Sequence, residues 1–78
     1  MSTLNRYSAA VELRLVIAGV VLQLSQVGPG HAILKSNSKA IDSCFARIDV
    51  IVDRVVTSSE TVFLCHGIVE SSREITFL

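Results

Sequence analysis

The sequence predicts an all-β fold, a small antiparallel barrel or sandwich of five to six strands. Three observations predict it. Apolar and polar residues alternate from Val11, valine and isoleucine are dense throughout, and a strand–turn–strand pattern recurs after 35 residues. At 78 residues the chain has room for one domain and a thin stability margin.

Residues 1–9 are polar and aperiodic and read as a loose N-terminal arm, leaving 10–78 as a single β domain. Val11, Leu13, Leu15 and Ile17 then share one parity while Glu12 and Arg14 begin the other, the mark of a half-buried strand over 11–17. Ala18-Gly19 offers a tight turn, because glycine takes positive φ freely. A second strand is expected over 20–26. Gly28-Pro29-Gly30 is the clearest punctuation in the chain, and a third strand, 31–35, leads into the polar Ser36-Asn37-Ser38-Lys39 loop.

The middle of the chain supports two readings. Ile41, Cys44, Phe45, Ile48, Ile51, Val52 and Val55 fall at helical spacing, so an α+β alternative places a helix at about 39–56. Against it stand the β-branched Ile48, Val50, Ile51, Val52, Val55 and Val56, which suit a pleated surface. The repeat points the same way. Residues 11–36 laid on 46–71 give six identities in 26 pairs, where composition alone gives about one or two. Val11–Ile17 also meets residues 46–52 apolar on apolar and polar on polar. The strand reading follows, with strands at 46–52 and 55–65 and a turn at Asp53-Arg54. That turn puts Cys44 across from Phe63 and diagonal to Cys65, slightly far for a disulfide. A turn at Ser58-Ser59-Glu60 instead would put Cys65 opposite Asp53 or Arg54 and roughly 30 Å from Cys44, so both thiols are expected to be reduced under either. An apolar strand over 74–78 ends the chain and needs a partner, for which a second copy is the expected source.

Composition excludes some functions. Seven basic and seven acidic residues cancel, and no charge run exceeds two, so no one-signed field draws nucleic acid or an anionic membrane. The four aromatics, Tyr7, Phe45, Phe63 and Phe77, have no basic cluster beside them, unlike a base-stacking surface. The apolar run Leu15–Leu22 is too short to span a bilayer and lacks a leader's flanks, so a cytoplasmic protein is expected. An apolar share of 50% exceeds what so small an interior hides, and homo-oligomerisation is the expected outlet.

Chemistry is sparse. His31, Cys65 and His66 are the candidate ligand-binding residues. Cys65 and His66 are neighbours, which point to opposite faces of a strand and cannot form a nucleophile–base pair with each other. His31 could instead reach Cys65. His31 and His66 are equivalent under the repeat, but a metal site would need a third ligand, Glu70 or Asp42, at no recognised spacing. Asp49 and Asp53 read with Arg47 as a surface charge ladder rather than an acid–base pair. Gly28-Pro29-Gly30 matches no phosphate-binding loop. No catalytic residue, metal or cofactor is expected. The leading function is a non-enzymatic domain acting through self-association, and the rival is a small-ligand binder or minor enzyme with a pocket near His31, Cys65 and His66.

With Gln26-Val27-Gly28-Pro29 behind a strand–turn–strand, and Val52-Asp53 and His66-Gly67-Ile68 after it, the chain resembles a group of small bacterial conserved-hypothetical domains over about 55 residues. Those domains resemble one another in a Val-Asp-Gly turn where Asp53-Arg54-Val55 stands here. The resemblance implies a β fold and carries no activity.

Overall fold

The computed structural model describes residues 10–78; the arm expected over 1–9 lies outside them. The described chain is all-β. Six strands, β1 (Val11–Ile17), β2 (Val20–Gly28), β3 (His31–Leu34), β4 (Cys44–Val52), β5 (Val55–Leu64) and β6 (Glu74–Thr76), make one antiparallel sheet in the order β5-β4-β1-β2-β3-β6. Its two ends meet where Leu64 bridges Phe77 and where Phe63 and Leu78 exchange backbone bonds of 2.9 and 3.4 Å. Of the two architectures expected, the sheet therefore approaches the barrel form, closed at Phe63-Leu64 and open along the rest of β5.

Both expected turns are present. Ala18 and Gly19 have φ of 50° and 79°, Asp53 and Arg54 of 50° and 70°, so each hairpin turns on two left-handed residues. That geometry matches the twist of the flanking strands. Asp53 offsets its unfavourable φ by bonding to Ala10 across the sheet: its N–H donates to the Ala10 carbonyl at 2.9 Å and its carboxylate accepts from the Ala10 N–H at 3.0 Å. The 35-residue shift carries hairpin β1–β2 onto hairpin β4–β5. Because β1 and β4 are antiparallel neighbours, an approximate dyad relates the hairpins and passes through the paired residues Arg14 and Asp49, themselves 35 apart.

The helical alternative is overturned, since Cys44–Val52 is a strand paired on both sides. Its helical spacing has a specific origin. Ile48 faces the barrel interior opposite Leu15, while Ile51 is buried on the other face opposite Glu12, so two buried positions stand three apart in a strand. Leu13–Leu24, the one stretch apolar enough to raise a membrane question, is the first hairpin. No helix among the described residues is long and apolar enough to cross a membrane.

One irregularity was not visible in the pattern. Val50 pairs with Ser58 and Ile51 with Val56, so Thr57 is an extra residue in β5, its hydroxyl donating to the Val50 carbonyl at 3.2 Å. The bulge advances the rest of β5 by one position. Cys44 consequently faces Leu64, not Phe63, and both cysteines are free thiols. The chain's last strand also differs from expectation: β6 pairs with β3 of its own chain, so no second copy is needed to cover it.

The interior is filled from every strand and from one loop. Leu15, Ile17, Leu24, Leu34, Leu64, Ile68 and Ile75 are fully buried, each contributing about 1.5–3 kcal/mol of transfer free energy. Ile68 plugs one end, held by reciprocal bonds with Ile41 of 2.7 and 2.9 Å. That clip requires Gly67. Its φ is +58°, and a Cβ there would overlap the Ile41 carbonyl oxygen and stand 2.6 Å from the Asp42 carbonyl carbon.

Gly67→Ala should therefore cost about 3 kcal/mol or more, enough to unfold much of so small a domain, as read by circular dichroism at 25 °C. Ala18→Asn, which creates the favoured Asn-Gly turn, should stabilise by about 0.5–1 kcal/mol and raise the thermal midpoint.

Candidate functional site

His31, Cys65 and His66 do not share a pocket. His31 opens β3 opposite Gly28, and its ring lies across that glycine's backbone: a Cβ on Gly28 would sit 2.6 Å from the imidazole Cε1. Its Nδ1 stands 3.2 Å from the Pro29 carbonyl oxygen. The ring thus covers a cross-strand glycine, a packing duty that the sequence did not disclose. Cys65 is half-buried just beyond β5, its Sγ 3.8 Å from the Phe63 carbonyl, and the exposed His66 sits in the following turn. No group of three or more His, Cys, Asp or Glu side chains among the described residues could hold a metal ion.

The strongest electrostatics lie elsewhere, on the convex face of β1, β4 and β5. Arg47 donates to both oxygens of Asp49, at 2.9 Å from Nε and 3.1 Å from Nη2, and the Ser59 hydroxyl donates to the same carboxylate. Arg14, opposite Asp49, grips Glu12 at 3.0 and 3.1 Å. Asp49 is only 6% exposed. Its Arg47 and Ser59 hydrogen bonds, helped by the positive charge of Arg47 and Arg14, hold its carboxyl below the usual carboxylate range, although burial pushes the other way. The charge ladder expected from Arg47 and Asp49 is thus a bonded node, with Asp49 buried beneath an exposed Arg47. Asp53 does not belong to it, since its carboxylate caps Ala10.

Beside the node runs an apolar strip on the same convex face. Phe45 and Phe63 are paired across β4 and β5 with ring centroids 5.0 Å apart and planes tilted by 59°. Val16 and Val21, paired across β1 and β2, continue it past Arg47. Phe45 is 71% exposed and Val21 53%. Sequence parity does carry this signal: Phe45 shares the face of Arg47 and Asp49, where a solvated strand would place a polar residue.

Two concavities among the described residues are large enough to bear on a ligand. The larger, about 420 Å³, opens on the inner side of β5 between Ser58 and Glu60 and the Val27–Gly30 turn, with Ile48 and Val50 as its floor and Phe77 and Leu78 at one side. The smaller, about 250 Å³, follows β3 and β6 and includes His31. Cys65 and His66 line neither. Comparison of the chain with protein-family models, curated proteins and solved structures found no match.

Because the folded state holds Asp49 below its unfolded pKa, the unfolded chain takes up the proton first as the solution is acidified. The stabilisation is present above about pH 4 and is lost as the pH falls through the folded value. Urea midpoints should thus fall between pH 6 and pH 2.5, and Asp49→Asn should flatten that dependence while lowering the midpoint at pH 6.

Proposed function

We propose that this chain is a non-enzymatic β domain that acts through protein association, with a second copy of itself as partner. The observation that carries the reading is Phe45, a large aromatic side chain 71% exposed in an apolar strip with Phe63, Val16 and Val21. Exposed aromatics on a sheet face are the residues that become anchors when a surface is covered. A twofold contact through this strip sets apolar groups on apolar groups and meets no unpaired charge, because Arg47 is bound to Asp49 and Arg14 to Glu12. A formal net charge of zero adds no long-range repulsion between copies. A reducing, cytoplasmic setting belongs to the same proposal and is supported by the two free thiols.

Multi-angle light scattering from about 1 to about 500 micromolar, the range that brackets micromolar dissociation constants of about −8 kcal/mol, should show mass rising to that of a dimer. Phe45→Lys should weaken the dimer by about 30-fold or more, the cost of losing an anchor of about 2 kcal/mol, while the circular dichroism spectrum stays that of the folded chain. A strict monomer across the range would refute the proposal.

A further inference from the structure

We propose that the free edge of β5 and the cleft beneath it form a groove that accepts an extended peptide carrying a basic residue, by strand addition. This goes beyond self-association and uses a different surface, the inner side of the barrel rather than its convex face.

The edge is a continuation of a pairing the fold already makes. Phe77 and Leu78 lie antiparallel on Leu64 and Phe63, whereas Val55–Val62 has no partner on that side among the described residues. The N–H and C=O of Phe63 both engage Leu78. Alternation along a strand then turns the N–H and C=O of Thr61 and Ser59 the same way, away from β4. A segment laid antiparallel beside them meets two donor–acceptor pairs in line with an existing ladder.

The cleft supplies what side chains of such a segment would need. Alternate residues of an added strand point into it, over the apolar floor of Ile48 and Val50, with Val27, Pro29 and Phe77 around them. Glu60 is the single charged side chain in the lining. It pairs across from Ile48 and so faces the cleft, and it forms no ion pair among the described residues. A carboxylate above an apolar floor is the complement of a lysine or arginine flanked by apolar residues. The same carboxylate disfavours another β5 as occupant. Antiparallel self-pairing over Ser59 and Thr61 brings the Glu60 of each copy opposite or diagonal to the other, and like charges so placed repel.

The test titrates the full chain against a labelled, capped heptapeptide, Val-Thr-Lys-Thr-Val-Thr-Val, by fluorescence anisotropy. Two companions are a twin with glutamate for lysine and a twin N-methylated at alternate residues. The lysine peptide should saturate, the glutamate twin should bind about fivefold more weakly or worse, and the N-methylated twin should not bind. Glu60→Lys should reverse the order of the charged peptides. Thr61→Pro, which removes an amide that β4 does not use, should abolish binding while the circular dichroism spectrum is kept. Phe45→Lys should leave the titration unchanged, so loss of self-association and loss of peptide binding are read separately. Failure of the lysine peptide to saturate at millimolar protein, equal binding by the N-methylated twin, or an order unmoved by Glu60→Lys would each overturn the proposal.

Discussion

The ladder between β1 and β4 is the constraint on which everything else in this domain depends. Each hairpin is a local object, closed by a two-residue turn, and a lone hairpin is marginal in water. Joining β1 to β4 turns two hairpins into a four-stranded surface and brings Leu15 over Ile48 to begin the interior. It also closes a loop of about 35 residues, an entropic cost that must be met before long-range contacts repay it. The Arg47–Asp49–Ser59 node lies on this joint, with Arg14 at its dyad. A buried carboxylate bonded on both oxygens is intolerant of a slipped register, because a shift of β4 by one residue would turn Asp49 and Arg47 inward together and take the carboxylate away from Ser59 on β5.

Much of this was legible in the residues, and what was not has physical causes. The alternation of Val11 to Ile17 and the glycine at position 19 mark the first hairpin directly. The second was legible chiefly through the first, because Asp53-Arg54 contains no glycine and left-handed φ at such residues leaves no compositional trace. Ile51 misled the periodicity by being buried on the face of Asp49. The Thr57 bulge was invisible, since inserting one residue changes no residue type, and it alone moved Cys44 from Phe63 to Leu64. The closure by Phe77 and Leu78 was hidden as well: an apolar end announces that it will be covered and does not say by what.

The site residues followed a different logic. Histidine and cysteine attract notice because their chemistry is versatile, yet here His31 covers a glycine and Cys65 and His66 occupy a turn. The informative residues were those out of place for their parity. Phe45 sits on the polar face and Glu60 on the apolar one, and in a curled sheet the two faces are a convex exterior and a lined hollow. Residues that break an alternation are costly to the fold, so they draw attention to surfaces where the fold alone does not account for them.

The extra residue at Thr57 bears on colloidal behaviour. Removing it would leave every other pair of β5 in place, Val56 still opposite Ile51 and Ser58 still opposite Val50. The strand would then lie flat as one uninterrupted row, rich in valine, serine and threonine and carrying one charge. Such a row is a template for intermolecular cross-β stacking, and a kink of one residue is among the cheapest means of denying it a long, straight contact. The bulge thus stands between an edge open to a short visiting strand and one that would nucleate fibrils.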